Sequence, residues 1–230
     1  MNAYPMIRID SAAYQTLVSQ AEILEANHCG PKVLRLADGS YLKLFRRKHL
    51  ISSALWLPYA RRFAHACQVL AEYSVPCPKV IAVYRIPSIA RDAVHYHPLP
   101  GQSLRQLIQK DISKAESHQI RYQLGAFVAL LHNLGIYFRS LHLGNIIQTP
   151  QNTLGLVDLA DIRFYRHPLS RFLQQRNFNH IMRYPEDAEW INQTTAFQTA
   201  YCATRPNIGN KPSQYEDALS GKPSASTAQT

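Results

Sequence analysis

Tyr137-Phe138-Arg139-Ser140-Leu141-His142-Leu143-Gly144-Asn145-Ile146-Ile147, followed shortly by Leu154-Gly155-Leu156-Val157-Asp158-Leu159, is the most informative part of the chain. Ile146 to Gln148 and Leu154 to Val157 read as short strands around the turn residues Pro150-Gln151-Asn152-Thr153. Asn145 lies five residues before Pro150, and Asp158 five residues after Thr153. A hairpin over 146–157 therefore brings Asn145 and Asp158 to its open end. One amide oxygen and one carboxylate there form a small oxygen-rich site of the kind Mg2+ accepts, the remaining positions going to water and substrate phosphates. The alternatives are ordinary turn chemistry for Asn145 after Gly144 and a strand-end cap for Asp158.

Working outward, residues 32 to 46 split into two apolar runs around Ala37-Asp38-Gly39, a hairpin signal. Lys43 then sits inside the second strand, pointing either into a cleft or to water. Tyr59, Phe63, Cys67, Leu70 and Tyr73 form one helical stripe, stopped by Pro76 and Pro78. Lys79 to Tyr84 and Asp92 to Tyr96 read as strands, and His97-Pro98-Leu99-Pro100-Gly101 as a linker. Ser103 caps a short helix over Leu104 to Gln109. Ile120, Leu124, Phe127, Leu131 and Leu134 mark a long buried helix over 116–134, and more helix follows between 168 and 203. From about Pro206, Pro, Ser, Gly, Lys and Thr replace apolar residues, which reads as a disordered tail. The expectation is an α+β chain: a strand-rich N-terminal lobe over 1–97, a helical C-terminal lobe over 98–205, and a tail over 206–230. Two unequal lobes invite a ligand cleft.

That order of a strand lysine, a helix, a linker, a long helix, a loop ending in Asn and then an Asp resembles the protein-kinase-like fold. Its catalytic loop reads H-R-D-L-x-x-x-N; Phe138 to Asn145 keeps the spacing, with Arg139, Leu141 and Asn145 in place. Leu141-His142 and Gly144-Asn145 also fit the H-x-D-L-H-x-x-N variant of small-molecule phosphotransferases of that fold. Within it, residues 20 to 200 look most like bacterial lipopolysaccharide core kinases, whose relatives include proteins with a toluene-tolerance label. The resemblance implies that Lys43 contacts the α- and β-phosphates of ATP, that Asn145 and Asp158 hold Mg2+, and that backbone near Tyr96 to Leu99 binds adenine. It implies phosphorylation of a sugar hydroxyl on a lipopolysaccharide core precursor, or another anionic sugar, at the inner face of the cytoplasmic membrane.

Three departures accompany it. Ser140 stands where the fold places its catalytic-base Asp, and serine does not accept a proton as a carboxylate does. No G-x-G-x-x-G precedes Lys43; Asn27-His28-Cys29-Gly30-Pro31 is the one candidate phosphate-covering loop. The helix over 59–73 lacks a well-placed glutamate for Lys43, Glu72 lying near its C-terminal end. His142 and Asp161 remain as substitute proton acceptors, with loop ordering the alternative for His142. The departures leave a second expectation: a pseudokinase that binds nucleotide or regulates a partner.

Composition sets the outer limits. The 230 residues include 25 Lys+Arg against 15 Asp+Glu, a net charge of +10, with 46% hydrophobic residues, enough for a globular core. From Lys32 to Arg62 eight basic residues face the single acid Asp38, a face suited to phosphates or anionic lipid. Trp56, with Leu55 and Leu57, is either core packing or a membrane-surface contact. Nucleic acid is the unlikelier partner, since no interleaved aromatic-basic motif accompanies the charge. Four cysteines without a C-x-x-C pair exclude a zinc ribbon and read as free thiols. His95 and His97 flank the linker without metal-ligand spacing and read as hydrogen-bonding residues. No apolar run approaches membrane-span length, so a cytoplasmic location is expected.

Overall fold

The computed structural model describes residues 4–47, 58–110 and 112–204. The Trp56 segment, Lys48 and the tail over 206–230 lie outside them. The chain divides into two compact units, Met1–Gln102 with Ile147–Ile162, and Ser103–Ile146 with the residues from Arg163 on. Where composition places the division at residue 97, the fold places it after Gln102 and returns the hairpin over 147–162 to the first unit. The reason is local. Leu156 N donates to Pro76 O at 2.9 Å, and a Cβ on Gly155 would stand 2.5 Å from that same oxygen. The hairpin is packed onto the first unit's backbone.

The first unit is built on a six-stranded sheet. Its strands are β1 (Met6–Arg8), β2 (Glu22–Asn27), β3 (Gly30–Arg35), β4 (Tyr41–Arg46), β5 (Lys79–Ile86) and β6 (Arg91–His97), in the order β1-β5-β6-β4-β3-β2. All neighbours are antiparallel except β1 with β5. The β3–β4 hairpin forms around Asp38-Gly39 as expected, Leu36 N bonding Ser40 O at 2.8 Å and Gly39 taking φ +79°.

Alternation along β4 sorts its side chains onto two faces. Leu42 and Leu44 join Leu34, Leu36, Ile86 and Ala93 in a core closed by Tyr14 of α1 (Ser11–Val18). Asp10 caps that helix, accepting from Ala13 N at 2.8 Å. Lys43 and Phe45 point the other way, toward α2 (Tyr59–Glu72). Phe63 of α2, 1% exposed, meets Tyr96 at 5.3 Å and Phe45 at 6.4 Å between ring centroids. Burying such a ring is worth roughly 1.5–3 kcal/mol.

In the same unit β9 (Ile146–Gln148) and β10 (Leu154–Leu156) form the expected hairpin, and β9 also pairs with β7 (Gln102–Ser103). The approach at β7 is close: a Cβ on Gly101, whose φ is +132°, would lie 2.1 Å from Gln148 O.

The second unit is helical. The α3 helix (Leu104–Ile108) starts in a capping box of Ser103 and Gln106. The long helix α4 (Lys114–Asn133) is capped by Ser113. The pair β8 (Ile136–Phe138) and β11 (Ile162–Phe164) forms a small ribbon, followed by α5 (Arg171–Ile181), α6 (Pro185–Asn192) and α7 (Ala196–Thr204). Gly125 lets α4 and α7 touch, since a Cβ there would stand 2.1 Å from Phe197 O. An aromatic cluster seals this contact: His132 Nδ1 meets Tyr201 Oη at 2.8 Å, and Phe178 packs on both rings.

Candidate functional site

In the first unit the strand lysine and the hairpin carboxylate meet. Lys43 Nζ donates to Asp158 Oδ1 at 2.6 Å. The lysine side chain is 14% exposed and the carboxylate 48%, so one end is held by the sheet and the other faces water. Asp158 follows β10 in the left-handed conformation, φ 57° and ψ 50°. A non-glycine residue accepts that at a cost of about 1–2 kcal/mol, which turns its carboxylate toward Lys43. The turn Leu159–Asp161 then packs against α2.

Of the other predicted residues of this unit, Tyr96 feels the charge of that pair. Tyr96 is buried beside it; burial first, then the charge of Asp158, pushes its phenol pKa well up. Leu99, in the linker, packs where a Cβ on Gly155 would be 2.6 Å from its Cδ2. His95 faces away from Lys43, its Nε2 2.7 Å from Ser40 Oγ, a hydrogen-bonding role as expected. Residues 27–31 form the β2–β3 turn. Cys29 N donates to Asn27 Oδ1 at 2.9 Å, and Arg91 holds Cys29 O at 2.9 Å. Glu72 accepts from Gln68 Nε2 at 3.2 Å, in keeping with its place far along α2.

One expectation is corrected here. The basic run over 32–62 is partly neutralised, because Lys32 pairs with Glu25 and Arg35 with Glu22. Both acids sit on the neighbouring strand β2, where antiparallel pairing sets Glu22 opposite Arg35 and Glu25 opposite Val33, next to Lys32. Segment counting along the chain could not see them.

In the second unit the loop from Ser140 to Asn145 is held at every turn. Asn145 Nδ2 donates to Ser140 O at 2.9 Å, and Asn145 N to His142 O at 2.9 Å. Gly144 N donates to His142 Nδ1 at 3.2 Å, so the neutral ring carries its proton on Nε2. Leu143 N donates to Asp187 Oδ2 at 3.2 Å. Asp187, 1% exposed, takes a two-pronged bond from Arg105, at 3.1 and 2.6 Å. That bond raises the Arg105 pKa. Arg105 also covers the Tyr184 ring at 4.3 Å, and His142 meets that ring edge-on at 5.4 Å. Asn177 Nδ2 holds Phe138 O at 2.7 Å.

Asp187, Arg105, Asn177 and Tyr184 were not foreseen. Asp187 lies in the first turn of α6, where an acid suits the helix dipole, so nothing in the sequence marks it as a support for a distant loop.

In the first unit Asp158 keeps Oδ2 outside its lysine contact; in the second, the Asn145 amide nitrogen is committed to Ser140 O. Among the described residues no cluster of three or more His, Cys, Asp or Glu could hold a metal. Among the same residues no helix is long and apolar enough to cross a membrane, and the four cysteines are free.

The chain is α+β, strand-rich in its N-terminal part and helical in its C-terminal part, with the element order that the protein-kinase-like fold implies. No protein-family model matches it, and no curated protein does. Solved structures do match. One is titled the bifunctional kinase-methyltransferase WbdD, at 15% identity and a TM-score of 0.48, covering 83% of this chain and 47% of that one. The chain thus spans about half the length of that structure.

Proposed function

We propose that the chain is an ATP-dependent phosphotransferase of the protein-kinase-like fold, acting on an alcohol group of a sugar, with a lipopolysaccharide core precursor as the acceptor. The observation that carries this reading is the contact of Lys43 with Asp158, 115 positions apart in sequence and 2.6 Å apart in space. A lysine held mid-strand beside a half-exposed carboxylate is the pair needed to receive nucleotide phosphates and their cation. Lys43 would take the α- and β-phosphates, Asp158 and Asn145 the Mg2+, and the linker near Tyr96 and Leu99 the adenine. Bound with ATP, Mg2+ neutralises phosphate charge. The chain's own part is to position the acceptor, with Ser140 and His142 on the loop that faces it. The setting proposed is cytoplasmic, with peripheral contact at the inner membrane face.

Ser140 supports a second reading, a pseudokinase that binds nucleotide without transferring phosphate. Melting curves with and without Mg-ATP test the nucleotide site. Saturation at a hundred times Kd stabilises the wild type by about 2.7 kcal/mol. Asp158→Asn, which tolerates the left-handed backbone, abolishes that shift. Mg2+ alone is expected to do nothing. Absence of a shift in a folded wild type refutes both readings; a shift without transfer to core oligosaccharide favours the second.

A further inference from the structure

The loop carrying Ser140 has a strongly basic neighbour that the nucleotide site does not use. On α5, Arg176 and His180 are four residues apart, and Arg183 follows one turn further on, its N–H bonded to His180 O at 3.3 Å. That spacing puts the three side chains on one side of the helix end. Tyr137 on β8 meets the same histidine, its hydroxyl 3.3 Å from His180 Nε2. Arg139, in the turn that follows β8 and immediately before Ser140, is close enough for its charge to act on the His180 ring. Arg139, Arg176 and Arg183 are exposed, and His180 is half-buried.

Among the described residues no acid is in a salt bridge with this group. The chain has no acidic residue between Glu116 and Asp158, nor between Asp161 and Glu186. Among the described residues none of the three arginines is in a salt bridge; Arg176 lies over Phe172 and Arg183 over Tyr184. The first acid after α5, the exposed Glu186, forms no salt bridge with these arginines among the described residues, and the next, Asp187, is committed to Arg105 and Leu143. Burial first, and then Arg176, Arg139 and Arg183, lower the His180 pKa. A helix C-terminus attracts cations, which accounts for Arg183 but not for Arg139, which lies in the turn after β8. Nor does it account for a histidine kept neutral at the very end that favours its charge.

We infer that Arg139, Arg176 and Arg183, gathered around His180, form a binding site for a phosphate-type oxyanion carried by a small acceptor molecule. Guanidinium groups suit such an anion because they donate in pairs to its oxygens. The position beside Ser140 would select an acceptor bearing a negative group next to the hydroxyl that reacts. This deepens the phosphotransferase reading and rests on it for the acceptor, while the anion site stands on its own residues.

The test follows the His180 ring by NMR at pH 7.5 and fixed ionic strength, during titration with inorganic phosphate, glucose 6-phosphate, sodium chloride, and vesicles of phosphatidylglycerol in phosphatidylcholine. A saturable change with phosphate and the sugar phosphate, absent with chloride, supports the site. Binding about tenfold weaker in the double variant Arg176→Gln/Arg183→Gln, whose fold is checked by urea unfolding, assigns it to these arginines. The inference is overturned if chloride matches phosphate, if the double variant responds like the wild type, or if only vesicles move the signal. Asp158→Asn keeps the phosphate response, so failure of the Mg-ATP shift and failure of the anion site are read separately.

Discussion

Asp187→Asn removes one charge from a pair that is sealed on one side and wet on the other. The carboxylate side chain is 1% exposed and the Arg105 side chain 31%. Removing one partner of a fully buried pair costs about 3–5 kcal/mol. Water reaches Arg105 and takes over part of its solvation, so the expected loss is about 2–3 kcal/mol. In a chain of this length that lowers Tm by about 4–12 °C. The asparagine keeps one acceptor oxygen but turns an NH2 group toward a guanidinium. Either Arg105 or the Leu143 amide then loses its partner, and hydrogen exchange at the Leu143 amide is expected to speed up with the fall in stability. Urea unfolding gives the first quantity and amide exchange the second. A loss below about 0.5 kcal/mol, with Leu143 protection unchanged, would make the pair an ordinary screened surface contact and refute the claim that α6 holds the loop.

Three other outcomes are expected. Gly125→Ala sets a methyl 2.1 Å from Phe197 O and lowers the unfolding free energy from urea titration by about 1–3 kcal/mol; a net gain, as helix propensity alone predicts, would show that α4 and α7 are not in close contact. His95 and His180 both have pKa values lowered chiefly by burial. Below the ordinary value of 6.5 the unfolded chain therefore binds more protons than the folded one, and stability falls as pH drops through that range. His95→Gln should flatten the decline between pH 7 and pH 5, and an unchanged slope would contradict the assignment. Ser140→Asp restores a carboxylate to the loop and is expected to raise phosphate transfer about a hundredfold; unchanged transfer, with Mg-ATP still bound, would place the limiting step elsewhere.

Local patterns in the sequence were legible where one residue type dictates the backbone. Asp38-Gly39, Ser103, Pro76 and Pro78, and the stripe from Tyr59 to Leu70 each mark an element end or face, and β4, α2, α3 and α4 lie close to the expected ranges. Lys43 was readable as an anomaly, a charge inside an apolar strand, but its contact with Asp158 was not foreseen. The first thirty residues were not legible. Strand β2 is exposed along its whole length, so no alternation marks it, and its acids cancel basic residues that lie distant in sequence. Long-range supports were equally silent, because a buried aspartate at a helix start looks like a dipole partner until the loop it holds is seen. The unit boundary was displaced for a related reason: Gly155 and Gly101 permit backbone approaches whose partners, Pro76 and Gln148, no local pattern names.

The loop over 140–145 is ordered far beyond what a connection between β8 and β9 requires. Fixing a residue's backbone costs about 1–2 kcal/mol in entropy, and a plain surface turn would avoid much of that. Here the Asn145 amide, the His142 ring and the buried Asp187 carboxylate each bind a specific backbone group. Such supports fix the backbone from which the loop presents Ser140 and Asn145, with Arg139 at its head. In phosphoryl transfer most of the rate comes from positioning and charge neutralisation. Oriented reactants gain about 7–11 kcal/mol, whereas a proton acceptor contributes typically about 10²–10⁴-fold, or roughly 3–5 kcal/mol. Under the proposed phosphotransferase reading, a serine at position 140 with the positioning kept forgoes only the smaller share, and this is the physical reason that proposal is placed ahead of bare nucleotide binding.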